Sequence, residues 1–196
     1  MHPQVRTGLI GLVLVAVTGG CTVTAGNSTR DAQREAAEAV VGDGSVTVDL
    51  TDPPSREELA VPEERTTVFL QRDGREPFDV TVRFRDGHEL TTPAAVLGVE
   101  TDGPGTAPKA LTIRRDEMTL DDLRAALDSA VADLGVDRAD ADDALRRAEQ
   151  AGSGDKDLIV TLRTAVADPD RLELEPVVSA MEGRVSINYL VHWDTP

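Results

Sequence analysis

The sequence predicts an α+β domain: a mainly antiparallel sheet, made of a meander and a C-terminal hairpin, with a helical pair packed on one face. Three stretches predict it. FDVTVRF, residues 78–84, alternates strictly, with Phe78, Val80, Val82 and Phe84 on one face and Asp79, Thr81 and Arg83 on the other. TLDDLRAALDSAVADLG, residues 119–135, switches to the helical period, and Leu120, Leu123, Leu127, Val131 and Leu134 form one stripe. RVSINYLVHW, residues 184–193, returns to alternation, with Val185, Ile187, Tyr189, Val191 and Trp193 sharing a face.

In chain order, DAQREAAEAVV (31–41) favours a weakly packed helix. Ser28 with Asp31 would cap it, Ala32, Ala36 and Val40 would form its apolar face, and Gly42 would stop it. VTVDL (46–50) reads as a short strand. Pro53 and Pro54 then break the chain, and Ser55 with Glu58 at N3 caps a helical turn. Residues 28–64 thus read as a lead-in, with the core beginning near Thr66. TTVFLQ (66–71), FDVTVRF and HELTT (88–92) make a three-stranded meander. Asp73–Gly74 and Asp86–Gly87 would turn it, with φ > 0 at both central residues.

AVLGVE (95–100) is a short strand, TDGPGTAPK an exposed loop and ALTIRR (110–115) another strand. Thr119 and Asp122 form a capping box for the first long helix, and Gly135 ends it. A second helix runs from about 138 to 151, with Ala141, Ala144, Leu145 and Ala148 inward and Gly152 as its stop. Strands return as LIVTLRTAV (158–166), LELEPVVSAM (172–181) and RVSINYLVHW. Glu182–Gly183 marks a tight hairpin turn, and Pro176 marks an edge or a bulge.

The chain has 196 residues, room for one domain or one domain plus a tether. Acids number 36 against 20 bases, for a net charge of −16, and the only lysines are Lys109 and Lys156. Such a surface repels nucleic acid and anionic lipid headgroups, and favours solvation, cationic partners or divalent ions. The aromatics are Phe69, Phe78, Phe84, Tyr189 and Trp193. Five rings, mostly at strand positions that read as buried, do not favour the stacking platforms of sugar or base sites.

The N-terminus sets the address. MHPQVR carries one base and no acid, and TGLIGLVLVAVTGG (7–20) carries no charge. A helix of that length spans about 21 Å, short of the ~30 Å hydrocarbon core. The segment therefore has the shape of a secretory signal rather than a membrane span. It runs through Gly19 and Gly20 into Cys21, the only cysteine, so no disulfide can form within the chain. Small residues leading into a lone cysteine resemble the lipobox of bacterial lipoproteins, over residues 1–21 only. Thr18 stands at −3, where that pattern usually has Leu or another aliphatic. The resemblance implies that Cys21 is the lipid attachment site, modified on its sulfur with a diacylglyceryl group, and becomes the new N-terminus. Two acyl chains meet the requirement for stable anchoring, which one chain does not. The expected organisation is a signal peptide over 1–20, a tether and weak helix over 21–45, and a single globular domain over 46–196.

No catalytic, cofactor-binding or metal-binding residue is assigned. His2 leaves with the signal. His88 reads as a solvated turn residue, and His192 as a strand residue on the face opposite Tyr189 and Trp193. There is no G-x-S-x-G elbow. Two mature histidines and a lipidated cysteine do not supply a Cys/His-rich zinc site. Asp137, Asp140, Asp142 and Asp143 cluster at a helix start, but the calcium-loop pattern fails, with Ala148 where the bidentate Glu belongs. Residues 116–151 hold eleven acids against four arginines, which argues against a DNA-binding helix pair. TDGPG lacks the spacing of a nucleotide fingerprint.

The expectation is a lipid-anchored protein on the extracytoplasmic face of the cell membrane. Its domain would be a non-enzymatic binding or adaptor module for an unidentified envelope protein or ligand. The contact surface would be a sheet edge or the helix–sheet seam. An anchored hydrolase with a Ser/His/Asp-type site is one alternative, and an accessory subunit of a membrane complex another.

Overall fold

The alternating segments assemble into two sheets in the computed structural model, which describes residues 34–35, 37–72, 76–151, 158–166, 170–179 and 184–194. The signal segment, Cys21, the 22–27 tether and the Ser28 cap lie outside the described residues. So do the turns expected at Asp73–Gly74 and Glu182–Gly183 and the stop at Gly152. The described residues from Glu35 onward belong to one compact unit.

The smaller sheet has the order β1-β3-β4, from β1 (Ser45–Asp49), β3 (Phe78–Arg83) and β4 (Glu89–Ala94). The larger contains β2 (Thr67–Leu70), β5 (Val96–Thr101), β6 (Pro108–Met118), β10 (Arg184–Trp193), β9 (Asp170–Ser179) and β7 (Leu158–Ile159), in that order. The short β8 (Leu162–Arg163) also pairs with β9. Every pairing in the larger sheet is antiparallel. Helices α1 (Leu120–Asp133) and α2 (Arg138–Ala151) pack on each other and on strands of this sheet. The fold is α+β, with a helical pair against a mainly antiparallel sheet.

Register explains the core. Val68, Val99, Leu111, Val191 and Leu172 lie opposite one another in a row across five strands. Leu70, Leu97, Ile113, Tyr189, Leu174 and Leu162 form the next row. All of these are buried. Directly paired residues point to the same face of a sheet, so the two rows make a continuous apolar layer. On the opposite face Phe69, Gly98 and Thr112 align, and the Phe69 ring lies against Gly98, where a Cβ would be 3.3 Å from it. This explains how a 68% exposed Phe is tolerated on an edge strand: an aromatic neighbour covers a glycine that cannot pack for itself.

The long helices follow their signals. Thr119 and Asp122 form the capping box of α1. Gly135 ends it with φ 67, where any Cβ would collide with Ala165. Leu123, Ala126, Leu127 and Ala130 are its buried face, and Leu134 beyond it is buried too. Leu120 is instead exposed and Val131 only partly buried, because the apolar stripe is centred one step round, on the two alanines. In α2 Ala141, Ala144 and Ala148 are buried and Leu145 packs at the margin.

Several expectations need correction. The third strand beside β3 is not β2 but β1, and it runs parallel, with Val46 opposite Val80 and Val48 opposite Val82. β2 instead edges the larger sheet against β5. Both segments alternate, so local pattern alone did not choose between them. The 28–64 stretch is not merely a lead-in, for Ala37, Val41, Val46, Val48, Leu50, Leu59 and Val61 are core residues. In the helical segment through 37–41 the buried positions are Ala37 and Val41, with Val40 partly buried. The β3–β4 turn has a three-residue loop: Phe84 N–H donates to His88 O and Gly87 N–H to Phe84 O. Among its residues only Gly87 has positive φ, so it is not the two-residue turn expected. The 158–166 strand is split into β7 and β8. The break falls opposite Pro176, which has no N–H to offer a continuous partner. Ser55 and Glu58 do form their reciprocal cap, with Ser55 N–H and Oγ each 2.8 Å from Glu58 Oε2.

β4 passes into β5 through a bend at Ala95, whose N–H donates to Arg114 O of β6 at 2.8 Å. The chain thereby switches sheets, and this corner brings β4 over the inner face of β6 and beside α1.

Candidate functional site

A cleft of about 140 Å³ opens at the seam between β4, α1 and the inner face of the larger sheet. Its position follows from side-chain size. Ala126 and Ala130 are the small residues of the buried face of α1, so the helix leaves space beside the sheet there. β4 contributes Leu90 and Thr92 from its buried side and Glu89, Thr91 and Pro93 from the other.

The polar groups in it are unusual for a core-facing position. Thr92 is 3% exposed and Tyr189 4%. The Tyr189 phenol lies beside the Thr92 hydroxyl. Burial pushes the Tyr189 phenol up, and the Thr92 hydroxyl and the nearby Arg115 charge offset this only in part. Thr92 Oγ1 also reaches Pro93 O, but at a stretched 3.5 Å.

Arg115 lies directly opposite Ile187 in the β6–β10 ladder and two residues beyond Ile113, so it belongs to the inward row. Just after it the ladder is irregular and Glu117 takes φ 56, before buried Met118 pairs with buried Val185 and the apolar row resumes. Arg115 is half-buried, and among the described residues it has no carboxylate within ion-pair distance. Its charge is felt by Asp122, although the Thr119 hydrogen bonds do more to hold that carboxyl down.

The rim is acidic. Glu89 pairs with Arg83 at 3.1 Å. Asp133 is exposed at the last position of α1, where the last turn holds no base. A negative charge there opposes the helix dipole. Among the described residues Asp133 has no partner. Ser129 completes the polar lining.

The residues singled out in the sequence lie elsewhere. Cys21 is outside the described residues. His88 sits on its hairpin, with Nδ1 3.0 Å from Asp86 Oδ2. His192 is exposed on β10, between Ala110 and Arg171. Neither lines the seam cleft. Asp137 caps α2 by accepting Ala139 N–H at 2.8 Å. Asp142 and Asp143 face Arg138, Arg146 and Arg147. Among the described residues no group of three or more His, Cys, Asp or Glu is placed to hold a metal ion. Sequence reading missed Thr92, Arg115 and Asp133. The signal for Arg115 was present: it is in phase with Leu111 and Ile113, an inward charge in an apolar row. Thr92 likewise falls in phase with Leu90 and Ala94.

A wider groove of about 750 Å³ runs past Val40, Thr47, Asp49, Asp52 and Glu57. Two of its carboxylates are spent locally, Asp49 on Thr51 and Glu58 on Ser55. The seam cleft is thus the place where buried hydroxyls, an unpaired guanidinium and an unpaired carboxylate converge. Among the described residues no helix is long and apolar enough to cross a membrane. No protein family, curated protein or solved structure matches the chain.

Proposed function

We propose that this chain is a lipid-anchored extracytoplasmic protein whose folded domain is a non-enzymatic binding or adaptor module of the cell envelope, with the seam cleft as its contact surface. The observation that carries the anchor is Cys21, the single cysteine, set directly after Gly19–Gly20 at the end of a charge-free run. The convergence of Arg115, Thr92, Tyr189 and Asp133 in one cleft supports binding. The hydrolase alternative calls for a histidine beside a carboxylate or serine in a concave site. Among the described residues the His88 ring meets Asp86 of its own turn, and neither it nor the exposed His192 lines the cleft, which favours the binding reading. The accessory-subunit alternative calls for an apolar patch of several hundred Å². The exposed large hydrophobic residues among those described, Phe69 and Leu120, sit on different elements.

Fractionation of cells expressing the full chain tests the anchor. Cys21→Ser should release the protein from the membrane fraction or stall its processing. Normal processing with full membrane retention would overturn the lipoprotein reading. Purification in mild detergent tests the adaptor role through what co-purifies.

A further inference from the structure

The polar lining of the seam cleft is two-signed, and this selects a ligand. Arg115 supplies a positive charge with a planar donor fork that suits a carboxylate. Next to it sit the hydroxyls of Thr92 and Tyr189, both on buried residues. The Thr92 hydroxyl is engaged only by a stretched contact to Pro93 O at 3.5 Å, which leaves it able to donate to a ligand. On the same cleft's rim, Asp133 holds an unpaired negative charge against the helix dipole. A purely anionic ligand would meet both this carboxylate and the −16 charge of the chain. A purely cationic ligand would leave Arg115 unpaired. A ligand carrying both charges offers a partner to each of these two lining residues and, being neutral, is not repelled at long range. The volume of about 140 Å³ is well below the roughly 300–1,000 Å³ of drug-sized pockets, so the ligand is small.

We propose that the seam cleft binds a small α-amino acid as its zwitterion, the carboxylate against Arg115 and the Thr92–Tyr189 hydroxyl pair and the ammonium against Asp133. This assignment rests on the reading of the domain as a binding module and names its ligand class. It does not depend on Cys21.

Isothermal titration of the full chain in mild detergent tests it, with glycine and alanine as probes and acetate and methylammonium as half-ligands. Glycine and alanine bind, and each half-ligand binds at least about tenfold more weakly, since each forgoes one charge-assisted contact. Arg115→Gln and Asp133→Asn each weaken alanine about tenfold or more, and Asp133→Asn does so with the melting temperature unchanged. Asp133 is exposed, so its variant keeps the fold. No binding of either amino acid overturns the proposal. Unchanged alanine affinity in Asp133→Asn, or acetate binding as tightly as alanine, also overturns it. An envelope protein that co-purifies while neither amino acid binds overturns this ligand and leaves the binding-module reading standing.

Discussion

Asp170 Oδ2 accepts the backbone N–H of Arg85 at 2.9 Å, and this bond ties the β3–β4 hairpin of the smaller sheet to the start of β9 in the larger. The Asp170 side chain is 1% exposed, and Arg85 Nη1 lies 3.7 Å from its other oxygen. The same guanidinium donates to Leu50 O at 2.7 Å and to Asp194 O at 3.0 Å. One turn therefore gathers the ends of β1, β9 and β10. Asp170→Ala removes the acceptor and strands a shielded N–H. The expected loss is about 1–3 kcal/mol by urea unfolding. A change within about 0.5 kcal/mol, the range of plain surface substitutions, would contradict this role.

Arg56 is the second long-range clip, and among the described residues no carboxylate pairs with it. At 8% exposure it donates to Thr106 O at 2.7 Å, to Arg65 O at 2.6 Å and to Pro62 O. Its fork reaches three carbonyls that a lysine ammonium cannot all serve in that geometry. Arg56→Lys should therefore destabilise by about 1–3 kcal/mol despite keeping the charge. Guanidinium unfolding that shows Lys and Arg equivalent would mean that only the charge matters.

Phe69 and Gly98 should be energetically coupled. The ring covers the glycine, so Phe69→Ala costs stability only while position 98 lacks a side chain. A double-mutant cycle with Gly98→Ala is expected to give a coupling of about 0.5–1 kcal/mol. Additive effects would show that the ring is simply solvated.

The α1 cap carries a pH dependence. Hydrogen bonds from the Thr119 backbone and hydroxyl hold the Asp122 carboxyl below its usual value. A carboxyl lowered by folding contributes stability above its unfolded value and loses that contribution as pH falls through its folded one. The melting temperatures of the native chain and Asp122→Asn should therefore differ most near neutrality, and the gap should close below about pH 4. Thr119→Ala, which removes the N-cap oxygen, should cost about 1 kcal/mol. A gap that persists unchanged into strong acid would rule out ionisation as its source.

Much of this was legible because it is local. The capping box at Thr119 and Asp122, the stop at Gly135 and the alternation of β3 and β10 each depend on neighbours within a few residues. The seam cleft was harder to see. Tyr189 was visible as an inward residue, but nothing in RVSINYLVHW says that its hydroxyl meets Thr92, 97 positions earlier in the chain. Arg115 and Thr92 were each one out-of-character residue in an apolar phase. Such a break is a signal for a site only when several converge.

By itself the sequence determined the element types, the inward faces of β3 and β10, the ends of α1 and the lone cysteine after two glycines. Those follow from period, propensity and composition. Tertiary structure alone decided that β1 rather than β2 lies beside β3, that Ala95 carries the chain from one sheet to the other, and that Arg115, Thr92, Tyr189 and Asp133 share a cleft. The physical reason is that strand partnership is a non-local choice. Two alternating segments offer the same hydrogen bonds, and only burial of a complete apolar layer across both sheets selects between them.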